Sequence, residues 1–235
     1  MSASQVRVVA WNCCGGFWKK ADQLRSLQPD IAIISEVLQS NLSALGPDAQ
    51  TAWIGDEGVK GLAIVGFNGW RITPTVSCEE RLFLPAEATR GGVRLQLVGV
   101  HLLPAPDYVS PTLRALEGLS AALAGERVLL AGDFNQSVGF DPRRSEGRQF
   151  ATVVRRLGDL GLLSLWHDHR GEVHGAESSP TIFHQHSEAK PYHVDYMFGS
   201  AALRTALSAV ELGSYQDWVA AKFSDHVPLV ATFNV

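Results

Sequence analysis

With 235 residues the chain is long enough for one large domain with a sizeable core. An apolar share of 46% and a charged share of 19% are those of an ordinary soluble globular protein. The formal charge of −4 excludes a global basic field that would hold nucleic acid or anionic membrane indiscriminately, while leaving room for a local basic rim.

The opening residues, Met1 to Arg7, lack a basic segment followed by an apolar core, and no uncharged apolar run approaches the length of a membrane span. Three cysteines, Cys13, Cys14 and Cys78, form an odd set with an adjacent pair, which reads as free thiols in a reducing compartment. Together these features point to a cytoplasmic protein.

Val6 to Trp11 is short, β-branched and apolar, and predicts a buried strand ending at Asn12. Apolar residues at Phe17, Ala21, Leu24 and Leu27 have helical spacing, stopped at Gln28-Pro29-Asp30. Ile31 to Ile34 predicts a second buried strand, ending at Ser35-Glu36. Open α/β sheets place ligand groups at such C-terminal strand ends. Leu38 to Leu45 predicts a short helix. Between Thr51 and Val100 short strands with intervening Gly, Pro and Asn suggest antiparallel meanders, the last of them ending at His101.

Residues 109–123 have the pattern of an amphipathic helix leading into the run Val128 to Ala131. That run ends in Gly132-Asp133-Phe134-Asn135. On an extended segment Asp133 and Asn135 would point the same way and Phe134 the other, although Gly-Asp-x-Asn also makes ordinary Asx turns. Beyond lie a polar loop with Arg143 and Arg144, a helix at about 149–157 and a Gly/Ser/His-rich stretch from His167 to Ser187. Tyr192 to Phe198 reads as an alternating strand containing Asp195, and 206–212 as another strand. Ser224-Asp225-His226 enters the last one. No solenoid repeat, low-complexity tract or linker divides the chain, so residues 1–235 form one α/β domain.

Asn12, Glu36, His101, Asp133 with Asn135, Asp195, and Asp225 with His226 thus share one placement, at or beside the end of an apolar strand. Each has an ordinary explanation as turn former, cap or satisfied core residue. As a set they do not, because buried carboxylates are costly unless paired or bound to metal, and a shared divalent cation resolves several at once.

The blocks Trp11-Asn12, Ser35-Glu36, Val100-His101-Leu102, Gly132-Asp133-Phe134-Asn135, His193-Val194-Asp195-Tyr196 and Ser224-Asp225-His226-Val227-Pro228-Leu229 span nearly the whole chain. In identity and order they resemble the endonuclease/exonuclease/phosphatase superfamily, which includes exonuclease III-like, DNase I-like and inositol-phosphatase-like enzymes. The resemblance implies a DNase I-like fold, a four-layer α/β/β/α sandwich of two mixed sheets, and hydrolysis of a phosphate ester with Mg²⁺ or Mn²⁺. Oxygen donors suit such a cation, with Glu36 as ligand, Asp225 as a second acid and Asn12 supporting the shell. Asp133 is expected to take a proton from water, Asn135 to orient it, and His226, paired with Asp195, to meet a phosphoryl oxygen alongside His101.

Two positions depart from the pattern. Cys14 stands where some relatives carry an acid, which weakens the case for two fixed metals, and His193 stands where many have Arg. His193, Arg90, Arg144 and Tyr108 are candidate substrate contacts, with Arg143 and Arg148 beside them, and Trp218 is a candidate stacking surface. The histidines at 167, 169, 174, 184 and 186 fit no tight zinc spacing and read as solvated loop. The leading expectation is a DNA endo- or exonuclease, acting as a monomer without an obligate protein partner. The alternatives are a hydrolase of small phosphorylated molecules and a non-catalytic binding module.

Overall fold

The computed structural model describes residues 5–104 and 107–235. In chain order its strands are β1 (Gln5–Asn12), β2 (Ile31–Val37), β3 (Gln50–Ile54), β4 (Gly61–Gly66), β5 (Arg71–Pro74), β6 (Phe83–Arg90), β7 (Val93–His101), β8 (Val128–Asp133), β9 (Leu163–Ser164), β10 (Ile182–Phe183), β11 (Pro191–Tyr192), β12 (Asp195–Gly199), β13 (Leu207–Leu212) and β14 (Leu229–Asn234). The α-helices are α1 (Ala21–Ser26), α2 (Val109–Gly118), α3 (Ser120–Leu123), α4 (Phe150–Asp159), α5 (Leu165–Arg170) and α6 (Ala201–Ala206).

Two mixed sheets form, in the orders β13-β14-β1-β2-β4-β3 and β5-β6-β7-β8-β12-β9, with a small β10-β11 ribbon. Side chains alternate across each strand, and the alternation builds the layers. Val8, Ala10, Ile31 and Ile33 face inward and meet Leu95, Leu97, Leu129, Ala131 and Met197 of the other sheet. Their neighbours Val9, Trp11, Ala32 and Ile34 face outward onto Phe17, Leu24, Leu42 and Leu45. Val98, Val100, Leu130 and Phe198 face the other way, onto α2 and α4 through Leu116, Phe150, Val153 and Leu157. Central strands are therefore buried on both faces, which is why they read as unbroken apolar runs. The result is the expected α/β/β/α sandwich.

Strand direction gathers the polar ends on one edge. β1 runs parallel to β2, and β7 parallel to β8, so each brings its C-terminal end there. β14 and β12 run antiparallel to their neighbours and bring their N-terminal ends.

Several local expectations are corrected. The pattern at 17–27 divides into a 3₁₀ turn, Phe17–Lys19, and the short α1, and 39–45 is 3₁₀ helix, not α. The helix expected over 109–123 is two, since Leu119 leaves helical geometry between α2 and α3. Part of the stretch expected as solvated loop is α5, with His167 buried. Among the described residues, no helix is long and apolar enough to cross a membrane, and all three cysteines are free.

Candidate active site

Local backbone geometry aims each polar group. A bulge interrupts the β2–β4 pairing between Ser35 and Val37, leaving Glu36 at φ 59°, a left-handed conformation rare outside glycine. The bulge turns the Glu36 carboxylate out of the sheet. Gly132 adopts φ 142°, and a Cβ there would run into the Val100 carbonyl, so only glycine lets β8 pass this close to β7. Asn135 lies beyond β8 at φ 50°, so it does not share an extended segment with Asp133. The chain folds back instead, in an Asx turn: Asn135 donates its backbone N–H to Asp133 Oδ1 at 2.8 Å and its Nδ2 to Oδ2 at 3.0 Å. Phe134 packs inward, edge-on to Phe150, Tyr196 and Phe198.

Asn12 ties the two sheets together. Its Nδ2 donates to Glu36 Oε1 at 3.0 Å and to Asp133 Oδ2 at 2.8 Å, so the two carboxylates stand one amide group apart. The Asn12 side chain is itself held by the Cys14 backbone N–H, which donates to Oδ1 at 2.9 Å. Ser224 donates to the Asn12 carbonyl at 2.7 Å and accepts from the His226 N–H at 3.0 Å, locking the entrance to β14 against β1.

His101, Asp133 and Asp195 are register partners across β7, β8 and β12. Asp195 is buried, its backbone N–H donating to Thr181 Oγ1 at 3.0 Å. Its Oδ2 lies 2.8 Å from His226 Nδ1, while Oδ1 has no partner. Burial opposes the His226 imidazolium, but the Asp195 carboxylate, with Asp133 behind it, outweighs that and lifts its pKa to about 10. Burial likewise pushes the Asp195 carboxyl up against the pull of His226. The two titrate as a unit, and at neutral pH that unit is imidazolium with carboxylate. His101 behaves oppositely: burial drives its pKa down despite Asp133 and Glu36 nearby. Its Nε2 is 3.9 Å from Asp133 Oδ2, too long for a hydrogen bond.

Lys60 was not legible as part of this group, because a lone lysine in Gly58-Val59-Lys60-Gly61 looks like any exposed turn. Its Nζ donates to Glu36 Oε2 at 2.7 Å. Burial works against ionisation of Glu36, and the Lys60 and Asn12 hydrogen bonds overcome it, holding its pKa low. A positive group thus already sits on the carboxylate expected to bind a cation. Asp225 is half-buried beyond Glu36, and after burial both acids contribute to pushing the Cys14 thiol up. Asp133, Asp195 and His226 also offer ligand atoms within 4.8 Å of one another. An imidazolium cannot ligate, however, so the hard-oxygen group around Glu36 suits a cation better.

Tyr108 is half-buried near Asp133 and Arg144, with burial and then Asp133 pushing its phenol up. Arg144, with Asn135, Phe140, Arg143, Ile182, His184, Tyr192 and Val194, lines a cleft of about 460 Å³. Arg90 is elsewhere. It lies at the turn between β6 and β7, the opposite end of the strand from His101, ion-paired to Asp30 at 2.6 Å and over the Trp70 ring at 4.8 Å. The cleft it lines with Arg71 and Arg94 is larger, about 640 Å³, but Asp48 is its one acid and it holds no histidine. His193 does not reach the mouth either. It is buried, with Nδ1 on the Ser179 carbonyl at 2.8 Å, because its neighbours Trp166 and His167 roof it over. Trp218 packs in the core against Trp11 at 4.9 Å.

No family model and no curated protein matches the sequence. Solved structures do match over nearly its whole length. An AP endonuclease from Archaeoglobus fulgidus superposes with a TM-score of 0.72 at 16% identity, covering 98% of this chain and 100% of that one. The 3'-5' exonuclease NExo from Neisseria meningitidis gives 0.69 at 22% identity, covering 98% and 100%. A truncated TDP2 from Caenorhabditis elegans gives 0.70 at 18% identity, covering 98% of each chain. The chain therefore shares the DNase I-like sandwich fold of these structures, the fold that the resemblance of its motifs implied.

Proposed function

We propose that the chain is a phosphodiester hydrolase dependent on Mg²⁺ or Mn²⁺, with DNA as its substrate. The observation that carries the reading is the Asn12 amide bridging Glu36 and Asp133, which brings an acid suited to a hard cation beside an acid suited to a proton. The donor set fits such a cation: Glu36, held anionic, and Asp225 offer oxygen, and Asn12 supports the shell by holding the Glu36 carboxylate through Nδ2. Bound there, the cation would offset negative charge on the scissile phosphate and the leaving oxygen.

Asp133 accepts a proton from the attacking water. Three N–H contacts occupy only part of its lone-pair capacity, so an acceptor position is left for that water. Asn135, pinned by Asp133 and the Leu102 carbonyl, orients water and phosphate. His226, kept as imidazolium by Asp195, donates to a phosphoryl oxygen, and neutral His101 donates to another.

DNA is favoured over a small ester by the cleft beside Asn135. It combines Arg143 and Arg144 with the edge-packed pair Phe140 and Tyr192, suited to backbone phosphates and an unpaired base. Structural relatives named above act as an AP endonuclease and an exonuclease, and a TDP2 from D. rerio was crystallised with a single-strand DNA product. The test is incubation with labelled plasmid, single-stranded DNA and bis-p-nitrophenyl phosphate, each with Mg²⁺, Mn²⁺ or EDTA. Metal-dependent nicking or shortening of DNA is expected. Turnover of the small ester alone would move the substrate to small phosphorylated molecules, and silence on all three would overturn hydrolysis.

A further inference from the structure

A second cluster of titratable side chains lies behind the wall that carries Asp195, built from α5 and the 171–181 segment. His167, His174 and Glu177 each place one ligand atom within 4.8 Å of the others. His167 is buried, and its ring stacks on His174 with centroids 3.6 Å apart. His193 joins them, buried, its ring 5.6 Å from that of His167. None of these groups takes part in the chemistry around Asp133.

The hydrogen bonding of the cluster leaves ring nitrogens without partners. His193 donates Nδ1–H to the Ser179 carbonyl, which fixes Nε2 as a bare acceptor, and that Nε2 is buried and unpartnered. His174 Nδ1 is also buried without a partner. His167 has Ser164 Oγ on Nδ1 at 2.7 Å and Glu177 Oε1 on Nε2 at 3.1 Å. Glu177 is anchored by the Gly175 N–H at 2.9 Å. A ring nitrogen tied to a carbonyl or hydroxyl while the other stays free is how proteins orient metal-binding imidazoles. Burial also opposes protonation of two of the rings: it drives His174 down to about 4 and lowers His193 too. Neutral imidazoles are the ligand form.

We propose that His167, His174 and Glu177, flanked by His193, form a site for a transition-metal dication of the zinc type, separate from the hard-cation site at Glu36. Imidazole and carboxylate donors in this ratio suit Zn²⁺ and not Mg²⁺. Donors around tetrahedral zinc stand about 3.4 Å apart, so binding contracts the cluster and tilts the stacked rings onto one point. When His167 Nε2 turns to the metal, its proton moves to Nδ1, and Ser164 changes from donor to acceptor. The metal would pin the 171–181 segment to α5. The neighbouring cleft, about 310 Å³ and lined by Glu177 and His193, also contains Phe140, Arg143 and Tyr192 of the substrate cleft. Its ion would therefore set one wall of that cleft.

The test uses the full chain, stripped with chelator and held in excess Mg²⁺, then loaded with Zn²⁺ and dialysed. One zinc per chain is expected, retained also by Glu36→Ala. His174→Ala and Glu177→Gln are expected to bind at least about 10-fold more weakly. X-ray absorption of zinc-loaded wild-type protein is expected to show two or three imidazoles, a readout independent of how the variants fold. An oxygen-only shell, no retained zinc, or loss of zinc in Glu36→Ala with retention in Glu177→Gln would overturn the proposal. None of these outcomes depends on phosphodiesterase activity.

Discussion

The two ends of the same sheets handle charge in opposite ways. At the β6–β7 turn, Arg90 meets Asp30 and lies over Trp70, and the Asp30 carboxylate also accepts the Arg7 backbone N–H at 3.0 Å. Arg90 and Asp30 answer each other there, as Arg94 answers Glu87 at 2.8 Å. At the opposite edge Glu36, Asp133 and Asp195 converge with Asp225 close by, and Lys60 and the His226 imidazolium are the cations that touch them. Positive φ does not separate the two ends: Cys14, Glu36 and Asn135 have it at this edge, and Gln28 and Asn68 at the other. Converging acids at one end, against an acid and a base that satisfy each other at the other, are the contrast that the proposed function rests on.

The sharpest way to break this contrast is Asp133→Asn. Loss of the proton acceptor is expected to lower kcat by about 10³-fold or more with an unchanged circular-dichroism spectrum. Retained turnover would remove Asp133 from that role. Next is His226→Ala, expected to cost about 10²–10³-fold in rate. It also strands a buried carboxylate, so stability falls by about 3–5 kcal/mol, and adding Asp195→Asn is expected to restore part of that loss in denaturant titrations. The same pair sets a pH signature. His226 has its folded pKa raised, so its stabilisation is complete below about pH 6.5 and fades as pH rises towards about 10. Wild-type Tm should fall across that window more steeply than that of His226→Ala.

Smaller effects sharpen the comparison. Lys60 occupies the Glu36 oxygen that a cation would use, so Lys60→Met is expected to lower the Mg²⁺ concentration for half-maximal activity, by about fivefold if the exposed pair contributes about 1 kcal/mol. An unchanged or higher requirement would make Lys60 a supporting contact instead. Arg90→Ala is expected to leave turnover untouched. Losing its ion pair and aromatic contact should cost about 1–2 kcal/mol, a Tm drop of several degrees for a chain of this size.

What the sequence disclosed follows the same division. Continuous apolar runs such as Ile31 to Ile34 and Val128 to Ala131 were legible because strands buried on both faces cannot be anything else. The polar residues at their ends were legible because a buried acid needs a reason. Distances along the chain say nothing about which end of a sheet a turn occupies, so Arg90 read as a candidate contact although β7 carries it to the far side. Lys60 and Thr181 were hidden for the reverse reason: nothing about a turn lysine or a loop threonine announces that β4 and β10 bring them to Glu36 and Asp195. His167 and His174 read as solvated because their spacing matches no zinc motif, and His193 read as a substrate contact, yet α5, the 171–181 segment and the approach to β12 fold the three together. The Asn135 turn was recognisable as an Asx turn, and it proved to be the device that brings the amide onto Asp133.

The most direct measurement is an anomalous-scattering map from crystals of the full chain soaked in Mn²⁺. A peak is expected at coordination distance, about 2.0–2.6 Å, from a Glu36 carboxylate oxygen, on the side facing Asp133. A map with no peak touching Glu36 would contradict that expectation.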